Sequence, residues 1–186
     1  MSARAIQFAA AALLAGFLTP CHADNSPTNG VTMKLQLTST AFAEGQPIPR
    51  RHAYDDLDHS PALRWAGVPP TAKSLALICD DPDAPAGVWV HWVVYNLPPS
   101  STGLVEDQPK AREFADGAKQ GVNDYKQIGY GGPCPPPGKP HRYFFKLYAL
   151  DVLPELKPGL TKKELLLAME GHVVAEGQLL GTYQRK

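Results

Sequence analysis

LALICDDPDAPAGVWVHWVVYNLP, running from Leu75 to Pro98, decides the fold. Its first apolar run, Leu75 to Cys79, stops at the carboxylates Asp80, Asp81 and Asp83, with Pro82 and Pro85 interleaved. A second run, Val88 to Leu97, resumes with Trp89, His91 and Tyr95 on one alternating parity. Rich in β-branched and aromatic residues and bounded by proline and glycine, the two runs read as strands flanking a loop. Proline fixes its own φ and pushes the preceding residue out of the helical region, so Asp81 and Ala84 are held extended. The loop therefore aims its carboxylates with little freedom.

A second stretch answers it. Tyr130 to Asp151, YGGPCPPPGKPHRYFFKLYALD, is a Gly/Pro loop followed by His141 and an aromatic strand from Tyr143 to Leu150. On that strand His141, Tyr143 and Phe145 share one face, and Arg142, Phe144 and Lys146 the other. Taken singly, an Asp/Pro loop is an ordinary turn and a lone strand histidine an ordinary structural residue. Two rigid loops, each beside a strand-borne histidine and an aromatic run, point instead to the walls of one pocket.

Outward from these stretches the chain reads as short strands. Met33 to Leu37 alternates with Lys34 and Gln36, Leu63 to Trp65 and Ser74 to Cys79 follow, and Phe42 to Pro49 is a turn region. Tyr54 to Ser60 carries Asp55, Asp56, Asp58 and His59 but misses the calcium-loop spacing, so it reads as a solvated loop. Pro98 to Gly129 lacks a sustained apolar stripe and reads as a long surface excursion, suited to partner contacts. Thr161 and Glu164 form a capping box that opens a short helix to Met169, ended by Gly171. His172 to Tyr183 reads as a closing strand, weakened by Gly177 and Gly181. The expected fold is mostly β, an antiparallel β-sandwich with Greek-key-like connections and one or two short helices.

Length and composition agree. A chain of 186 residues is one domain, and 19 prolines disfavour a helical architecture. A formal net charge of zero leaves no electrostatic footprint for nucleic acid or an anionic membrane surface. Residues 1–23 read as a secretory signal peptide: Arg4, an apolar run from Phe8 to Leu18 too short to span a bilayer, and an exit after Ala23. That address is periplasmic or secreted, with residues 24–186 as the single mature domain and no transmembrane segment. A lipoprotein signal anchored at Cys21 is the rival, which Pro20 fits poorly. Cleavage leaves Cys79 and Cys134, which are either bridged across the facing loops or two unbonded thiols.

The blocks DPDAP…WVHWVVYN and GPCPPPGKPHRYFFKLYALD resemble the two signature blocks of the phosphatidylethanolamine-binding protein family, and most closely its bacterial, Raf-kinase-inhibitor-like branch. SPALRW (Ser60–Trp65), QGVNDY (Gln120–Tyr125) and EGHVVAEGQLLGTY (Glu170–Tyr183) are similar to that branch too. The likeness runs over nearly all of the chain from Met33 onward, and it implies the β-sandwich of that family. Carried over by motif position, it implies a ligand site of Asp81, Asp83, Trp89, His91, His141 and Tyr143, rimmed by Gly132, Pro133 and Pro135.

The chemistry of such a site can be argued separately. A phosphate cannot sit beside two bare carboxylates without compensation. Histidine supplies a proton near neutral pH, and backbone amides of Gly131 and Gly132 would add neutral donors. The carboxylates then orient the imidazoles or meet a cationic group, as in a phosphoethanolamine-like head group. The expectation is a non-enzymatic module for a small anionic or phosphorylated ligand, needing no cofactor and regulating or inhibiting a protein partner. Relatives also form homodimers. Three alternatives stay open: a hydrolase using an Asp–His pair, an inhibitor of an extracellular protease, and zinc held by Asp81, Asp83, His91 and His141. Against a hydrolase, Ser60, Ser74, Ser100 and Ser101 lie in no nucleophile-elbow context, and Cys134 sits between prolines with no helix N-terminus beside it.

Overall fold

A computed structural model of the chain describes residues 33–185. The expected leader and Cys21 lie outside these residues. The chain folds as two sheets and one α-helix. The strands are β1 (Met33–Lys34), β2 (Gln36–Ser39), β3 (Leu63–Ala66), β4 (Ser74–Asp81), β5 (Trp89–Leu97), β6 (Gly103–Leu104), β7 (Lys119–Gln120), β8 (His141–Leu150) and β9 (Val173–Tyr183). Helix α1 spans Lys162–Met169, and a 3-10 turn covers Arg50–His52. The large sheet has the order β1-β9-β8-β4-β5-β7, and the small one β2-β3-β6. Pairing is antiparallel except at one edge, where β1 runs parallel to β9, so the all-antiparallel expectation needs that correction. Among the described residues no helix is long and apolar enough to cross a membrane.

The sequence of β4 explains its place. Every residue from Ser74 to Asp81 is buried, as expected of a central strand covered on both faces. One face joins Leu75, Leu77 and Cys79 to Leu37, Leu63 and Trp65 of the small sheet and to Trp92, Phe145 and Leu147. The other packs Ala76 and Ile78 with Tyr95, Leu150 and the Leu165 and Met169 side chains of α1. Thr161 caps α1 as the sequence predicts: its hydroxyl accepts from the Glu164 amide, and the Glu164 carboxylate accepts from the Thr161 amide. The glycines in β9 mark close approach rather than weakness. A Cβ on Gly177 would lie 2.3 Å from the Leu35 carbonyl oxygen.

Two of the three carboxylates at the end of the first apolar run belong to the strand. Asp80 pairs with Val90 and Asp81 with Trp89, so alternation sends their side chains to opposite faces. Asp80, only 1% exposed, takes the Lys146 ammonium at 3.0 Å and the Lys162 ammonium beside it. It thereby ties α1 to the sheet. Replacing Asp80 by Ala should lower the unfolding free energy by about 2 kcal/mol, the scale of a hydrogen bond to a charged group, in urea denaturation. Lys146→Met and Lys162→Met together, with the buried Asp80 carboxylate kept and left without a cation, should cost more than Asp80→Ala in the same measurement.

Candidate functional site

Three neighbouring strands bring their chemistry to one end of the large sheet. Asp81 closes β4, and His141 opens β8 with its Nδ1 donating to Asp81 Oδ2 at 2.8 Å, both side chains buried. His91 reaches the same place through an irregularity. The β4–β5 register runs Cys79↔Trp92 and then Asp80↔Val90, which leaves His91 as the extra residue of a β-bulge. The bulge overturns the simple parity of the sequence. Trp89 and His91 turn to the hollow, whereas Tyr95 packs on the opposite face and donates its hydroxyl to the Lys157 carbonyl at 2.6 Å.

The Gly/Pro loop is clasped to that bulge. The Gly131 amide donates to the His91 carbonyl at 2.9 Å, and His91 Nδ1 donates to the Gly131 carbonyl at 2.6 Å. The Gly132 amide donates to Asp58 Oδ1 at 2.6 Å, its carbonyl accepts from the Tyr125 hydroxyl at 3.0 Å, and the Tyr54 amide donates to the Pro133 carbonyl at 3.0 Å. Glycine is required at 132 because a Cβ there would meet the His52 carbonyl oxygen at 2.1 Å. The acidic segment expected to be a solvated loop therefore holds the pocket wall. Asp58, with φ of 56°, also pairs with Lys110.

Between these parts lies a hollow of about 280 Å³, lined by Asp81, His91, His141 and Tyr143 and walled by aromatic and proline side chains. Tyr125 stacks on Tyr54 with ring centres 4.1 Å apart and meets Trp89 and His91 edge-on at 5.3 and 5.8 Å. Two donors on lining residues, Trp89 Nε1 and the Tyr143 hydroxyl, are buried without a partner. Burial lowers the His91 pKa, against the opposing pull of the Gly131 carbonyl, so the ring is neutral at pH 7. With Nδ1 donating to Gly131, its Nε2 carries a lone pair. Burial and then the Asp81 charge push the Tyr143 phenol far above the usual tyrosine range, which keeps it a protonated donor.

Of the residues expected at the site, Asp81, Trp89, His91, Pro135, His141 and Tyr143 converge on the hollow. Asp83 does not. Its carboxylate turns outward to accept from Arg142 Nε at 2.9 Å and Nη2 at 2.8 Å, and that guanidinium pulls its pKa down to about 2. Gly132 and Pro133 are buried behind the wall rather than on its rim. The Gly131 and Gly132 amides expected to face an anion are both spent, on His91 and Asp58. Cys79 and Cys134 are free, so the expected bridge is not formed: Cys79 lies in the core between the sheets, and Cys134 lines the hollow. No group of His, Cys, Asp or Glu among the described residues is arranged to hold a metal ion. Tyr54 and Tyr125 were missed as lining residues; tyrosine in a loop carries no spacing signal. A larger groove of about 690 Å³ beside α1 is bordered by Leu166, Leu167 and Lys126 and contains none of the expected site residues.

The sequence profile of the phosphatidylethanolamine-binding protein family matches residues 38–184. A UPF0098 protein of Methanothermobacter thermautotrophicus is 55% identical over 151 residues, covering 81% of this chain and 99% of that protein. The crystal structure of a phosphatidylethanolamine-binding protein homologue of Chlamydia trachomatis superposes with a TM-score of 0.75 at 44% identity, over 82% of this chain and 99% of that one. That of Escherichia coli YbcL, described as a member of the mammalian family, gives 0.76 at 33% identity over 82% and 99%.

Burial also lowers the pKa of His52 from its ordinary 6.5, as it does for His91. Above pH 6.5 both rings are neutral folded or unfolded; below it, the unfolded chain takes up protons that the folded one refuses. Stability should therefore fall between pH 7.5 and 5.5, above the range where Asp83 titrates. The urea midpoint at several pH values checks this, and His91→Gln should flatten the dependence. Gly132→Ala should cost about 3 kcal/mol by forcing the loop off His52, read as a lowered midpoint at pH 7.5.

Proposed function

The chain belongs to the phosphatidylethanolamine-binding protein family, and we propose on that footing that its hollow binds a small anionic or phosphorylated group without turning it over. The observation that carries this reading is the pair of unpartnered buried donors, Trp89 Nε1 and the Tyr143 hydroxyl, on residues that line the same hollow as His91 and His141. A buried donor without an acceptor costs about 1–3 kcal/mol, and the oxygens of a bound anion offset that cost. Asp81 holds His141 by Nδ1, so Nε2 is the atom left to meet a ligand. His91 Nε2 either accepts a proton from an acidic phosphate hydroxyl or takes one up as the anion enters.

The carboxylates have no free oxygen pair for a ligand ammonium group: Asp81 serves His141 and Asp83 serves Arg142. The cationic half of a phosphoethanolamine head group would instead face Tyr54, Tyr125 and Trp89, where a cation over an aromatic face contributes about 0.5–2 kcal/mol. Against catalysis stand the engaged serines. The Ser60 hydroxyl accepts from the Gln108 amide, and those of Ser74 and Ser101 donate to the Val152 and Pro98 carbonyls. The spent glycine amides also leave no oxyanion hole on the Gly131–Gly132 loop. A regulatory or inhibitory role would use the exposed rim around the hollow, and the leader reading would place the mature chain outside the cytoplasm.

Titration calorimetry with phosphate, phosphoethanolamine and acetate at pH 6, 7 and 8 tests the proposal. Affinity for phosphate should rise as the pH falls, because the bound anion favours protonated His91 while the free protein disfavours it. His141→Ala should weaken binding about tenfold or more, the loss of one charge-assisted hydrogen bond. No heat with any of the three, or turnover of a phosphomonoester or carboxylic ester, would overturn it.

A further inference from the structure

The two cysteines of the described fold have opposite surroundings. Cys79 is 1% exposed in the core, where burial first and then the Asp80 and Asp81 charges push its thiol well up. Cys134 is partly exposed and lines the hollow, between Pro133 and Pro135 of the clasped loop. Its Sγ accepts from Arg185 Nη1 at 3.5 Å, and Arg185 is itself 4.0 Å from Asp55. The guanidinium is thus placed to meet the negative charge that the sulfur carries when it attacks. A second observation points to an occupant of this space: Tyr143, a residue only 1% exposed, lines the same hollow, and its hydroxyl is buried without a hydrogen-bond partner.

We propose that Cys134 is a covalent modification site inside the hollow, taking one half of a low-molecular-weight disulfide and thereby closing the hollow to its anionic ligand. The Cys134 sulfur attacks one sulfur of RS–SR. A Cys134–S–SR bond forms, the RS–SR bond breaks, and the released RS⁻ carries away the pair of electrons and takes up the thiol proton. The cysteine is oxidised and one half of the small disulfide reduced, with no other reactant. A space of about 280 Å³ holds one small group, so an adduct and a phosphate exclude each other. Dithiothreitol reverses the exchange and reopens the space. The occlusion half of this inference rests on the binding reading above; the chemistry of the thiol does not.

The test treats the full native chain with oxidised glutathione and maps the adduct by peptide mass spectrometry. The expected map shows a glutathionyl group on Cys134 and none on Cys79, with Cys21 scored separately. Arg185→Gln should slow the reaction severalfold. In calorimetry the adduct should weaken phosphate binding at least tenfold, dithiothreitol should restore it, and Cys134→Ser should make binding indifferent to the reagent. The proposal is overturned if Cys134 reacts only after unfolding, if Cys79 reacts as fast, or if the mapped adduct binds phosphate as tightly as untreated protein. If untreated protein binds no phosphate, the anion reading of the hollow fails, while the peptide map still decides whether Cys134 is a modification site.

Discussion

One histidine joined to one glycine twice over holds the rest in place. The backbone carbonyl of His91 accepts from Gly131, and its ring donates back to the Gly131 carbonyl. A single residue of the sheet thereby fixes the position, tautomer and neighbour of a loop 40 residues away in sequence. The proline-rich segment has few ladder bonds of its own, and this clasp is its direct tie to the sheet. The loop's other ties lie beside it: the Tyr125 hydroxyl on Gly132, Asp58 on the Gly132 amide, and Tyr54 on Pro133. The clasp also consumes the donors that a glycine loop usually offers to anions, and shifts that task to side chains.

Three carboxylates within four positions meet three fates. Asp80 is buried against two ammonium groups and braces the helix. Asp81, one residue on and facing the other way, orients His141. Asp83 lies past the proline and is held on the surface by a fork of Arg142. Strand alternation separates the first two, and the proline that ends the strand separates the third. The acidic cluster is therefore three independent pairings and not one ligand set, which is why the zinc reading of Asp81 with Asp83 finds no geometry.

Much of this was legible in the residues. The two apolar runs, the alternation of His141, Tyr143 and Phe145, and the capping box at Thr161 are local patterns with a local cause. The meeting of the two loops was also readable, because each brought a histidine and an aromatic run to its end of a strand. What stayed hidden was non-local. A bulge at His91 depends on how β4 and β5 register, so periodicity placed Tyr95 on the wrong face. The use of Asp58 as a strut depends on a partner 74 residues away, and its own stretch carried only the signs of a loop. Gly177 looked like a weak point in a strand, and only the nearness of the Leu35 carbonyl oxygen explains it.

The parallel pairing of β1 with β9 sets Met33 beside Ala175, with β9 filling the place between β1 and β8. A chain emerging from the ribosome amino end first must complete β9 before that seam can close. Contacts of such long sequence separation make folding slow. Until β9 is complete, the nascent polypeptide has an open side along β8.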